Sequence, residues 1–133
     1  AFIPIINSMS GNVGSQSVAL IVRGLSTRKI GLGRIWSIIF KEVRVGIILG
    51  LVYAVLLSLL AVFQFPQIAH LGWVVGISLC ICMIVGSLVG SLIPIFFESI
   101  GIDPAIASGP FVTTSIDLLS ILLFFTTAQI ILP

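Results

Sequence analysis

Residues 45–63 read VGIILGLVYAVLLSLLAVF, nineteen positions without a charge. As a helix this run is close to the length of about 20 residues that crosses the hydrocarbon core of a bilayer. Residues 71–97 form a second uncharged run, and residues 105–132 a third that is interrupted only by Asp117. Residues 1–22 are also uncharged but carry a polar middle. The pattern predicts an all-α polytopic transmembrane helix bundle, four membrane segments in a single domain over residues 1–133. Composition agrees: charged residues make up 8% of the 133 and hydrophobic residues 59%, against about 25% charged in soluble domains. Mean hydropathy is +1.34. A soluble fold could not cover its surface with so few charges, and disorder requires the opposite balance.

All six basic residues, Arg23, Arg28, Lys29, Arg34, Lys41 and Arg44, fall within residues 23–44, with Glu42 among them. The positive charge is therefore concentrated in one loop. Membrane-length apolar runs flank it, so anionic lipid headgroups are the expected partner and nucleic acid is not. Because Lys and Arg favour the cytoplasmic side, the loop 23–44 is expected to be cytoplasmic in a plasma or inner membrane. Residues 64–70 are then external, 98–104 cytoplasmic, and both Ala1 and Pro133 outside. The stretch from Arg34 to Lys41 reads equally as a short interfacial helix or as the cytoplasmic start of a long second span. No initiator Met or signal pattern opens the chain, which reads as a transmembrane fragment of a longer protein whose soluble part lies elsewhere.

Small residues mark the expected helix contacts. Gly46 and Gly50, Gly86 and Gly90, and Ser87 and Ser91 are each four apart, a spacing that lets helix backbones approach closely in lipid. Pro94 is expected to kink or end the third span.

Asp117 is the strongest chemical clue. It lies 13 residues after Pro104 and 16 before Pro133, near mid-membrane, where a carboxylate costs at least about 2.5 kcal/mol. Pro110, Thr113, Asp117 and Ser120 share a helical face, with Thr114 beside them. The second clue is Ser10-Gly11-Asn12-Val13-Gly14-Ser15-Gln16-Ser17. Ser8, Asn12 and Ser15 share a face there, with Gln16 adjacent. Such a segment can bind water or a hydrated ion, or can glue helices through amide hydrogen bonds; both readings are open at this point.

Other candidates are weaker. His70 lies in a loop with no acid or Cys beside it. Cys80 and Cys82 are two apart on a helix and point away from each other, so they read as apolar side chains rather than a disulfide or metal pair. Tyr53 reads as a buried bundle residue. An enzyme is not expected: one membrane aspartate is too few for an aspartyl protease, no His accompanies the polar segments, and nucleotide-binding motifs are absent from the sequence.

The segment 10–25, SGNVGSQSVALIVRGL, resembles the Gly-Gly-Asn-x-Gly-x-Gln-Ser segment of MgtE-type magnesium channels, which runs into a similar Leu-Ile-Val-Arg stretch. Lys41-Glu42 followed by residues 45–50, residues 92–94, and Gly101-Ile102-Asp103-Pro104-Ala105 resemble later parts of that family in order. Asp117 falls where the family has its ion-site aspartate. Ser10, Ser15, Gly109 and Glu98 depart from its usual residues, and Thr113 stands where a small residue is common.

The resemblance implies a homodimer with five helices per subunit, the first of them missing here, and a pore on the two-fold axis lined by the 1–22 and 105–132 helices. Two copies of Asp117, with Asn12 and Thr113, would hold hydrated Mg²⁺ as the bound and transported ion. Ser8, Gly11, Gly14, Ser15, Gln16, Gly109, Pro110, Thr114 and Ser120 would line the pore. A missing N-terminal cytoplasmic domain would gate it. Mg²⁺ dehydrates reluctantly and prefers one or two carboxylates with retained waters, which suits so sparse a set. Soft ligands are absent from the polar stripes, which argues against copper or zinc, while passage of Co²⁺, Mn²⁺ or Ni²⁺ stays open. Two other functions compete: a proton- or sodium-coupled secondary transporter using Asp117, and a structural membrane anchor.

Overall fold

The computed structural model describes residues 2–27, 32–68, 70–107 and 109–132, and the side chains of all of these except 32, 33 and 107. Ala1, Pro133 and the basic Arg28 and Lys29 lie outside the described residues. The described chain is helical: α1 (Ile3–Ser26), α2 (Leu32–Gln64), α3 (Leu71–Ser99), a 3₁₀ turn over Pro104–Ala107, and α4 (Pro110–Ile131). The chain is an all-α membrane bundle. Helices α2, α3 and α4 are long and apolar enough to cross a bilayer. The polar middle of α1 lowers its hydropathy, but its 24 residues extend about 36 Å.

Helix α3 is the centre of the bundle. It packs against α1, α2 and α4, whereas α1 and α2, neighbours in sequence, barely touch. Its buried residues, from Gly72 through Val75, Leu79, Met83, Gly86 and Gly90 to Pro94, go round most of the helix. Small residues make this possible. A Cβ on Gly86 would lie 2.7 Å from the Ser10 carbonyl oxygen of α1, and one on Gly90 would collide with the Gly14 carbonyl. On the other side, a Cβ on Gly46 of α2 would meet Ser87 Oγ at 2.7 Å, and one on Gly50 would meet the Cys80 backbone at 3.3 Å. These are the glycines that the sequence spacing selects.

The contacts also set direction. Ser10 and Gly14 meet Gly86 and Gly90, so α1 and α3 run parallel. Gly46 and Gly72 meet Met83 and Ser58, so α2 and α3 run antiparallel. Ring contacts close both ends: Phe2 against Phe65 at 6.0 Å, and Phe97 against Phe111 at 5.9 Å, each edge to face.

Three details sharpen or correct the sequence reading. Residues 34–41 belong to the continuous 33-residue α2, so of the two readings the long span holds. Pro94 does not end α3, which continues to Ser99. It stops at Gly101, whose φ of +74° allows the Ile102 N–H to reach the Phe97 carbonyl at 2.9 Å and the Gly101 N–H the Glu98 carbonyl at 3.1 Å. These are the paired bonds of a glycine-terminated helix. The expected run 105–132 is not one helix either: the 3₁₀ turn ends at Ala107, and Gly109, at φ +100°, redirects the chain so that α4 starts at Pro110. A residue with a Cβ is strained at that φ.

Gly86→Ala is expected to destabilise the bundle by about 1–3 kcal/mol, because neither backbone at the contact can yield cheaply. Leu122→Ala, on the open surface of α4, should change little. Unfolding in mixed detergent measures both, and equal losses would contradict the packing account.

Candidate functional site

Helix α1 has two faces. Ile6, Ser10, Gly11, Val13, Gly14, Ser17, Val18 and Ile21 are buried at the three- and four-residue steps of a helix stripe. Ser8, Asn12, Ser15 and Gln16 are all exposed. They follow Gly11 round one side of α1 within about 140° at 100° per residue. The polar segment is thus divided: its serines and glycines at buried positions pack, and its amides face outward.

Asp117 meets α1 at Gly11. A Cβ added to Gly11 would lie 3.8 Å from Asp117 Oδ1 and 3.9 Å from Thr113 Cγ2. Asp117 and Thr113 are both half-buried. Among the described residues the Asp117 carboxyl has no hydrogen bond or ion pair. Thr113 Oγ1 donates to the Gly109 carbonyl at 3.1 Å and Thr114 Oγ1 to the Pro110 carbonyl at 2.6 Å. With their protons engaged on their own helix, both hydroxyl oxygens can take part in further bonds only as acceptors.

The site lies level with the middle of the long helices. Gly11 adjoins Ser10, Ser10 abuts Gly86, and Ser87 abuts Gly46. Gly86 is about 22 Å from the start of α3, and Gly46 about 21 Å from the start of α2. Measured along α4 alone, Asp117 is only about 10 Å from Pro110, because α4 starts deeper than its neighbours.

The residues expected to surround an ion therefore separate. Asp117 and Thr113 lie half-buried beside Gly11 where α4 meets α1, whereas Thr114, Pro110 and Gly109, and on α1 Asn12, Ser8, Ser15 and Gln16, are exposed. Gly11 and Gly14 are buried in helix contacts. Ser120, 2% exposed, bonds to Ser10 at 2.8 Å between the two hydroxyls, inside the bundle rather than on its open side. Cys82 Sγ reaches the Ser120 carbonyl at 3.6 Å, which agrees with its reading as a packing residue.

Two groups escaped the sequence reading. Ser10 was one hydroxyl among several in its segment, and its bond to Ser120 depends on a helix 110 residues away. Glu42 was counted with the basic loop, yet it is 9% exposed and its Oε2 accepts a hydrogen bond from Ser17 Oγ at 2.8 Å. Its signal was periodicity: Ile35, Ile39, Glu42, Gly46, Gly50 and Ala54 form the buried stripe of α2. Glu98 and Asp103 are exposed and border a cleft of about 420 Å³ beside Val22, Leu25 and Ser26. There Asp103 Oδ1 accepts the Ala105 N–H at 2.9 Å, starting the 3₁₀ turn.

Fold and site together define a membrane helix bundle with a carboxylate half-buried where two of its helices meet. The MgtE family model, described as a divalent cation transporter, matches residues 3–127, and the chain belongs to this family. It is 41% identical over 127 residues to the "Magnesium transporter MgtE" of Bacillus subtilis (strain 168), covering 96% of this chain and 28% of the relative. The protein of the same name from Enterococcus faecalis is 38% identical over 128 residues, 96% of this chain and 28% of its own length. That from Thermus thermophilus is 37% identical over 134 residues, 98% and 29% respectively. The chain thus spans under a third of the length of these relatives.

Removing either hydroxyl of the Ser10–Ser120 pair should loosen α1 from α4. A double-mutant cycle with Ser10→Ala and Ser120→Ala is expected to give a coupling of about 0.6 kcal/mol, as interhelical hydrogen bonds in membranes average. Strict additivity would contradict the bond.

Proposed function

We propose that the chain is the membrane part of a divalent-cation transporter that passes hydrated Mg²⁺ through a pore at a homodimer axis, with α1 and α4 as the lining helices. The observation that carries this reading is Asp117: a carboxylate level with the middle of the bundle, without a hydrogen-bond or ion-pair partner among the described residues, beside Gly11 of the helix that exposes Ser8, Asn12, Ser15 and Gln16. Family membership and the names of the relatives support it.

One subunit offers half a site. Among the described residues there is no cluster of three His, Cys, Asp or Glu side chains to hold a bare metal ion. A second copy related by a two-fold axis would face the same seam with its own Asp117. Two carboxylates at hydrated-ion distance, with Asn12 and Thr113 offering oxygens to the water shell, suit an ion that keeps its waters. Two negative charges hold a divalent cation better than a monovalent one, since attraction scales with ion charge. The remaining oxygens of Thr114 and Gln16 bind water along the path. The basic loop 23–44 is cytoplasmic in this reading, the C-terminus is outside, and longer relatives leave room for a cytoplasmic gating domain before α1.

Asp117→Asn keeps the shape but removes the charge and replaces one acceptor oxygen by an amide donor. It is expected to reduce Mg²⁺ uptake by reconstituted protein at least about tenfold, for a loss of roughly 1.4 kcal/mol or more in ion stabilisation. Wild-type flux and Mg²⁺ binding in this variant would sink the proposal.

A further inference from the structure

Helix α1 carries the polar face of the proposed ion path, so its rotation decides which side chains reach that path. It meets α3 backbone to backbone at Gly14, Gly86 and Gly90, while Ile6, Val13 and Val18 pack in apolar clusters. Hydrogen bonds add direction to this packing, because they form over a narrow range of angles. Among the described residues, α1 has two such side-chain bonds to other helices. Ser10 bonds Ser120 of α4 at 2.8 Å, and Ser17 donates to Glu42 of α2 at 2.8 Å. One lies just before Gly11. The other lies six residues after it, about 9 Å along the axis, and adjoins Gln16. The two bonds pull α1 toward two different helices, and two fixed points facing different ways determine a rotation.

The second bond is the less expected. A carboxyl that is 9% exposed near the start of α2 is costly relative to an apolar side chain of the same shape. Glu42 is therefore not explained by stability. Apart from it, α1 and α2 scarcely meet, so it supplies a directed link where packing supplies none.

We propose that Glu42 is a positioning residue for transport: by accepting the Ser17 hydroxyl it fixes the rotation of α1, and with it the direction in which Asn12, Ser15 and Gln16 face beside Asp117. The role rests on the reading of α1 as a lining helix. What it requires is an acceptor atom at this place rather than a charge, so Glu42→Gln keeps the function and Glu42→Leu loses it.

The test uses the full chain in liposomes, with Cys80 and Cys82 replaced by Ser. Single cysteines placed at exposed Asn12 or Gln16 and at buried Val13 report the rotation of α1 through labelling by a water-soluble thiol reagent. With wild-type Glu42, positions 12 and 16 label and position 13 does not. Glu42→Leu and Ser17→Ala are each expected to expose position 13 and to raise the half-saturating Mg²⁺ concentration about five-fold, the scale of one interhelical hydrogen bond. Glu42→Gln should restore both readouts to within about two-fold of wild type. Ser17→Ala, a small change, decides the matter if Glu42→Leu fails to fold. Unchanged labelling in Ser17→Ala overturns the proposal, as does a Glu42→Gln variant as impaired as Glu42→Leu. Asp117→Asn runs in parallel: wild-type uptake there would refute the transport reading, while the labelling pattern would still judge the role of Glu42.

Discussion

The approach of α1 and α2 to α3 at backbone distance is the constraint on which the rest of the structure depends. In lipid no hydrophobic effect drives helices together, so packing must come from close, dense contact. Gly86 and Gly90 admit the α1 carbonyls on one side, and Gly46 and Gly50 admit α3 on the other. That contact sets the height of α1, which sets the level of Gly11, which sets where Asp117 can lie. A Cβ at Gly11 would lie 3.8 Å from the carboxylate; anything larger would push into the space the ion path is proposed to use.

The same contact explains why α1 can be so polar. Its serines and glycines on the buried side make helix contacts, Ser10 and Ser17 with hydrogen bonds to other helices. Its amides on the other side are left facing out of the bundle. A helix with apolar residues at the outward places would pack equally well and offer nothing to an ion. Helix α4 completes the seam because Gly109 ends the preceding turn and lets Pro110 begin a helix at depth. The carboxylate is then close to the start of its own helix but level with the middle of α2 and α3.

Much of this was legible in the sequence. Charge-free length gave the helices, and four-residue glycine spacing gave the contacts, because both depend on local periodicity. Asp117 stood out because nothing else in the spans carries a charge of that kind at mid-length. What was hidden depended on partners far away in sequence. Ser120 looked like the continuation of the Asp117 stripe, yet helix rotation turns it inward to Ser10. Glu42 was lost among six basic residues, since charge counting sees a loop where periodicity sees a buried stripe. The break at Gly109 was missed because an apolar run has the same composition whether or not a turn interrupts it.

The central claim is that the seam between Asp117 and the outward face of α1 is where a divalent cation binds. Crystals of the full chain soaked in Mn²⁺, with anomalous scattering recorded at the manganese edge, test this most directly. The account predicts a peak beside Asp117 at a distance that leaves room for bound water, bordered by Asn12 and Thr113, and lost in Asp117→Asn. Manganese found only in the cleft beside Glu98 and Asp103, with none at Asp117, would contradict it.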